Sequence, residues 1–404
     1  MANERIGIWL IGALGGIGTT ASVGLAALHR KLIGEQGLVS ALPRFKPLQM
    51  ADWSSFVVGG HEIRESNYAT EARQLFEKSN VFSEQLLREV QPSLDEFQSN
   101  VRPGTLLNVG TTIESLAGTA ALALKNERPA AAIERLTADL QDFKSRNQLS
   151  HVIVANVAST EPPVDPAARQ YDWKSLSKKL DSDPQSPVPA SSLYAIAAMQ
   201  SGFDHVNFTP SIGSDLPALE ELALERNVLH VGRDGKTGET LMKAVLAPMF
   251  SARNLEVMSW VGHNIFGNMD GKVLDDPINK ANKVRSKDHL LTEILGYKPS
   301  TLVTIEYVED MADWKTAWDH IHFRGFLNTQ MTLQFTWQGC DSLLAAPLVL
   351  DLVRFTEREH RRGTSGILRH LSSFFKSPMG ADIPPQFHKQ YDLLEDWADE
   401  VAGG

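Results

Sequence analysis

The sequence predicts an α/β protein: a parallel sheet interrupted in its second half by a segment of mixed α+β structure. Three observations lead there. The apolar run IGIWLI (6–11) ends in a glycine-rich turn that opens a helical pattern from about Thr20 to Leu32. Strand-like runs recur at 104–109, 151–157, 204–208 and 228–232, with helical patterns between them at 67–91, 113–125, 130–146, 190–201 and 215–226. That alternation favours parallel strands with helices on both faces. From about residue 243 the rhythm changes.

Taken in order, the first run is apolar at nearly every position, as a strand covered on both faces should be. Residues 161–190 are rich in Pro, Asp and Ser and read as a long loop, because the strand–helix rhythm resumes after them. MKAVLAPMFSARN (242–254) then reads as a helix and LEVMSWVG (255–262) as a strand. STLVTIEYV (300–308) and TQMTLQFTW (329–337) alternate and are β-branched, which suggests antiparallel strands with one face covered by another subunit. Residues 340–360 read as an apolar helix before a polar tail. The expected division places 1–242 with 340–404 in one unit and 243–339 in a second.

The 404 residues carry a net charge of -10, which argues against non-specific nucleic-acid binding. The opening apolar run is short and broken by glycine, so a buried strand fits better than a signal peptide or membrane span, and a cytoplasmic location is expected. Cys340 is the one cysteine, which rules out an intramolecular disulfide; it reads as a packing residue or as a nucleophile without a visible partner.

Four stretches carry the candidate chemistry. Gly12-Ala13-Leu14-Gly15-Gly16-Ile17-Gly18-Thr19-Thr20 joins the first strand to its helix. Glycines there let the backbone approach a pyrophosphate, and the helix N-terminus supplies N–H donors. Leu14 occupies the middle glycine position of the usual fingerprint, so a tight turn without ligand is the alternative. Gly232-Arg233-Asp234-Gly235-Lys236-Thr237-Gly238-Glu239-Thr240 offers small residues and hydroxyls ahead of a helix, suited to a phosphate or simply to a helix cap. Asn264-Ile265-Phe266-Gly267-Asn268-Met269-Asp270-Gly271 places two amides and a carboxylate around glycines, which fits a polyhydroxyl ligand or a plain turn. Lys283 and Lys287 share a face if their segment is helical, while Lys315 and Lys376 stand alone; singly, each reads as solvated surface. Converging, these amino groups would need an anion to neutralise them.

The order of these pieces resembles the myo-inositol-1-phosphate synthase family. Gly12, Gly15 and Gly18 fall on the glycines of its cofactor loop, GRDGKTGET is similar to its G-D-D-x-K-S-G-Q-T, and NIFGNMDG to its N-H-L-G-N-N-D-G. CDSLLAAPLVLDL (340–352) nearly reproduces its C-E-D-S-L-L-A-A-P helix. Lys283 and Lys287 match its two lysines after that aspartate, Lys315 in ADWK matches a third, and Lys376 in FFKSP a fourth. GGHEI (59–63), VASTEP (157–162) and HVNFTPS (205–211) are fainter echoes.

The resemblance implies a Rossmann-like NAD-binding sheet, a catalytic and oligomerising α+β domain, and a homotetramer. It implies NAD-dependent isomerisation of D-glucose 6-phosphate to 1L-myo-inositol 1-phosphate, a step of inositol and phospholipid biosynthesis. C5 is oxidised, the C6 carbanion equivalent closes on the C1 aldehyde, and hydride returns. A related sugar-phosphate cyclase or epimerase would look the same. It assigns Lys283 and Lys376 to the C5 oxygen, Lys315 to the C1 carbonyl, and Lys287 with Lys236, Thr237, Gly238 and Thr240 to the phosphate. Asn264, Asn268 and Asp270 would orient hydroxyls or lysines, and Asp234 and Asp341 would lie by the nicotinamide. Gly12, Leu14, Gly15, Gly16, Ile17, Gly18, Thr19, Glu62, Thr111 and Ser342 complete the cofactor set. Glu62 stands where the family has an aspartate at the adenosine ribose, which keeps a carboxylate for the 2′-hydroxyl and favours NAD over NADP. Members differ in requiring a divalent or monovalent cation; the sequence shows no His/Cys cluster, and no metal site is expected.

Overall fold

The structure is a computed structural model that describes residues 4–268, 271 and 290–403. Its strands are β1 (Ile6–Ile11), β2 (Phe56–Glu62), β3 (Val101–Pro103), β4 (His151–Asn156), β5 (Asp204–Asn207), β6 (Leu229–Gly232), β7 (Glu256–Phe266), β8 (Ser300–Tyr307), β9 (Trp314–Arg324), β10 (Gln330–Cys340) and β11 (Gly366–Ile367). They form a seven-stranded parallel sheet of order β11-β6-β5-β4-β1-β2-β3 and a four-stranded sheet of order β10-β9-β7-β8.

The large sheet is buried on both faces, which is why β1 is apolar throughout. Ile6, Ile8 and Leu10 point into one core with the helices Gly16–His29 and Asp341–His360; Trp9 and Ile11 point into the other with Pro129–Asn147 and Ala190–Gln200. The helix Gly238–Ala252 runs across residue 242, where the expected division falls, and Ala244, Ala247 and Phe250 pack on Trp260 and Ile321 of the small sheet.

Several expectations change. The run 104–109 is no strand: Thr105 donates its N–H to the Tyr194 hydroxyl (2.8 Å), Asn108 turns left-handed (φ 56°), and the strand here is the three residues before it. β2 is absent from the sequence expectation, since Gly59 and Gly60 depress strand propensity. Both glycines are steric necessities: a Cβ at Gly60 would lie 2.3 Å from the Leu10 carbonyl oxygen, and one at Gly59 2.8 Å from the Trp9 ring. The helix expected at 67–91 is two, Tyr68–Ser79 and Glu84–Gln98, because Asn80 ends the first in a left-handed conformation and Ser83 caps the second. The pattern at 113–125 breaks at Gly118 into two single turns. The 161–190 loop contains a helix, Trp173–Ser182, capped by Asp172. β8 and β10 are not neighbours: β8 pairs parallel with β7, β10 antiparallel with β9, and β9 lies between β10 and β7.

Candidate active site

A cavity of about 530 Å³ opens over the C-terminal ends of the central strands. Gly12, Glu62, Val157 and Phe208 form its floor; Gly267, Asn268, Tyr307, Asp313 and Lys315 of the small-sheet region, with Asp341, Ser342 and Lys376, form the opposite wall. Ligands in open α/β sheets bind at this end of the strands.

The glycine turn follows from close packing. Gly12 has φ +82°, and a Cβ there would lie 2.8 Å from the Ala158 Cα. A Cβ on Gly18 would lie 2.5 Å from the Ala13 carbonyl oxygen, so the helix meets the preceding turn only through hydrogen. Gly12, Gly15, Gly16 and Ile17 line the cavity; Leu14, Gly18 and Thr19 do not. Leu14 is buried and donates its N–H to Glu62 Oε2 (2.9 Å). The other oxygen of Glu62 accepts from the Ile63 and Arg64 N–H groups (2.9 and 3.0 Å). Glu62 is thereby fixed at the end of β2 beside the turn, and Arg64 lies between Glu62 and Glu71 (3.5 and 3.4 Å).

The second loop is locked to a late piece of the chain. Asp234 donates its N–H to the Thr209 carbonyl (2.8 Å), and its own carbonyl accepts from the Lys376 N–H (2.7 Å). The two side chains meet as well, Lys376 Nζ to Asp234 Oδ1 at 2.7 Å, and both line the cavity. Lys236 turns the other way. It is buried under the C-terminal helix Phe387–Gly403, where its ammonium donates to Gln390 and lies 5.7 Å over the Phe387 ring. Burial there, with Lys376 as a lesser cause, lowers its pKa to about 7. Thr237 lines the cavity, and Gly238 and Thr240 lie in the first turn of the helix behind it, off the lining.

On the opposite wall, Lys315 Nζ lies 3.8 Å from Asp341 Oδ1 and 4.7 Å over the Phe266 ring. Asn268 donates to Asp313 Oδ1 (3.0 Å). Asp313 Oδ2 accepts from the Ser342 N–H (2.9 Å) and the Cys340 thiol (2.8 Å). Burial raises the Asp313 pKa and, with the carboxylate of Asp313, raises that of Cys340, so this thiol is a poor nucleophile. Asn264 is buried off the lining, donating to Glu239 Oε2 (2.7 Å), and Thr111 also lies off it. Lys283, Lys287 and Asp270 lie outside the described residues.

The family model described as Myo-inositol-1-phosphate synthase, an NAD-binding model, matches residues 6–398. The chain belongs to the myo-inositol-1-phosphate synthase family. It is 32% identical to "Inositol-3-phosphate synthase 1" of Bacteroides thetaiotaomicron over 98% of this chain and 94% of the relative. It is 30% identical to the "Inositol-3-phosphate synthase" of Spirodela polyrhiza over 65% of this chain and 56% of that enzyme, so the match spans little more than half of the plant protein. An inositol-3-phosphate synthase from Caenorhabditis elegans shares the fold, with TM-score 0.85 at 24% identity over 99% of this chain and 86% of that one.

The cofactor of this family's matching model is NAD, and the residues fit it. Gly16 faces the cavity with no side chain of its own, and a Cβ there would lie 2.6 Å from Ser342 Oγ. The turn thus leaves backbone bare at a helix N-terminus, where a pyrophosphate is stabilised. Glu62 stands at the end of β2, where a carboxylate accepts ribose hydroxyls.

Some cavity residues escaped sequence reasoning as members of the site. Asp313 joins three of its groups and stands two positions before Lys315 inside the ADWK motif, the one signal that points to it. Glu161, within VASTEP, is buried against the cavity; its oxygens accept from the Ser191 N–H (2.8 Å) and hydroxyl. Burial pushes its pKa up to about 7 against those bonds.

Proposed function

We propose that this chain converts D-glucose 6-phosphate to 1L-myo-inositol 1-phosphate, with NAD used and restored in each turnover. The observation that carries this is one cavity shared by the glycine turn, Glu62, the Lys376–Asp234 pair and Lys315. NAD, when bound at the turn, supplies the hydride acceptor and donor. Everything else falls to the side chains. Oxidising the C5 hydroxyl releases its proton, and the Lys376–Asp234 pair, an amino group and a carboxylate sharing protons at the cavity wall, is the group that carries it. Ring closure develops negative charge on the C1 oxygen, and Lys315 meets it with an ammonium held by Asp341. The phosphate lies beside Thr237, the N-cap of the helix Gly238–Ala252 and the residue of that turn that lines the cavity, where a helix N-terminus favours an anion. Asn268 and Asp313 orient the sugar or its lysines. Lys283, with Lys376 at the C5 oxygen, and Lys287, at the phosphate, complete the set the family motif carries.

Incubation of the purified protein with NAD and glucose 6-phosphate should yield an inositol monophosphate by phosphorus NMR, with no net rise in NADH absorbance. Conversion of a different hexose 6-phosphate only would point to a related cyclase or epimerase. Steady NADH accumulation would mean a plain dehydrogenase and end this reading.

The same reading includes a homotetramer. One face of the small sheet packs on the helix Gly238–Ala252, and the other presents Leu302 and Trp318, 50% and 44% exposed. Trp318 pairs with His263 and Thr336 across three strands, which makes a broad, flat surface suited to a second copy. Trp318→Asp should lower the mass measured by light scattering; an unchanged mass would place the contact elsewhere.

A further inference from the structure

His151 and Asp204 are the first residues of β4 and β5, at the end of the sheet opposite the cavity. His360, the last residue of the helix Asp341–His360, reaches them there. Asp204 is fully buried, and its Oδ1 accepts the Leu229 N–H (2.8 Å). That leaves Oδ2 facing both imidazoles, 2.8 Å from His151 Nε2 and 3.2 Å from His360 Nδ1. The rings are stacked, centroids 3.5 Å apart and planes 16° apart, and Phe203 packs edge-on against His151. The three donor atoms lie within 4.8 Å of one another.

We propose that His151, Asp204 and His360 form a binding site for a divalent transition metal of the zinc class. Two imidazoles and one carboxylate are a donor set that late first-row divalent ions favour. A tetrahedral zinc ion with ligands at about 2.0–2.1 Å has ligand–ligand edges of about 3.3 Å. The two edges at Asp204 are already 2.8 and 3.2 Å; because each ring binds an ion in its own plane, the stacked pair opens on binding, with the half-exposed His360 ring turning to aim Nδ1 at the ion. Without an ion, one N–H from each neutral imidazole can serve the carboxylate, so the hydrogen-bonded and metal-bound forms compete for the same atoms. A second proton would place two imidazolium rings face to face 3.5 Å apart, with a single carboxylate to share. One divalent ion satisfies all three donors at once. The Leu229 N–H fixes the carboxylate from behind, as outer partners of metal ligands do. His360 is partly exposed, its side chain 35% accessible, which leaves an entry path and a fourth position for water. A bound ion would tie the far end of the Asp341–His360 helix to two strands of the sheet. The sequence hid the site because its members are 53 and 156 residues apart.

The test uses the full-length protein, stripped with a chelator and dialysed metal-free. Zinc titration should reach about one ion per chain at this site, and cobalt should give the intense visible bands of a tetrahedral complex. His360→Ala should weaken zinc binding about 100-fold or more and remove those bands. Asp204→Asn, nearly isosteric, should do the same, and it serves if the first variant folds poorly. Equal zinc affinity and an unchanged cobalt spectrum in a folded variant would overturn the proposal. So would a wild type that binds neither ion, leaving the triad as a hydrogen-bonded staple only.

Discussion

Replacing Lys376 with methionine should lower kcat about a thousandfold while leaving NAD affinity nearly unchanged. The lysine reaches the cavity from a segment hydrogen-bonded to the Gly232–Lys236 loop, and its ammonium lies 2.7 Å from Asp234. Methionine keeps the length and removes both the proton carrier and the charge. It also leaves the buried Asp234 carboxylate without that partner, a change that costs roughly 3–5 kcal/mol in a dry site. Stability therefore has to be measured beside turnover. Lys376→Met/Asp234→Asn removes the stranded charge and should recover stability without recovering activity. Single-turnover NADH absorbance separates the early oxidation from later steps. A single variant that turns over like the wild type would exclude Lys376 from the chemistry.

Glu161→Gln should change how stability depends on pH more than any other single substitution in the cavity floor. The carboxyl is buried, accepts from Ser191, and titrates at about 7 instead of the ordinary 4.5. The native state therefore holds this proton through a window where the unfolded chain has released it. Stability from this group is complete below about 4.5 and is lost as pH rises through about 7. At pH 8 the penalty is on the order of 3 kcal/mol, because a tenfold change in proton affinity is worth about 1.36 kcal/mol. Glutamine accepts the same Ser191 N–H and carries no charge at any pH. The variant should exceed the wild type in urea midpoint at pH 8 and converge on it near pH 4. Parallel profiles across that range would show that Glu161 is not protonated near neutrality.

The parts of the site that share a contiguous stretch with a structural reason were legible. The glycine turn announces itself because Gly12 and Gly18 are demanded by backbone contacts, and the helix that begins at Asp341 begins within the CDSLLAAP motif. Position in sequence said less about direction. Lys236 is adjacent to Thr237, yet the left-handed turn at Asp234 and the bridge from Gly235 to Phe375 send its side chain toward Gln390. Asn264 belongs to a promising motif but lies in β7, where alternation turns it to Glu239, while Asn268, past the strand end, reaches Asp313. Among strands, β9 was missed because Trp314 and Trp318 are exposed while Thr316 and Asp319 are buried, so the alternation of apolar and polar residues is blurred. Local pattern reports which residues are buried, but the partner across the fold decides what they bury against.

The ribosome delivers the two halves of this cavity far apart in time. Residues 12–18 are made well before Lys376, a delay of roughly 20–70 s at ordinary elongation rates. Through that interval the helix Gly16–His29 lacks the helix Asp341–His360 that packs on it, and the Val39 and Ser40 N–H groups lack the Asp351 carboxylate they later share. A nascent chain must therefore leave part of one greasy face of its sheet uncovered until the Asp341–His360 helix has been made, a standing invitation to chaperones. A message truncated before codon 341 would yield quality-control substrate instead of a slow enzyme.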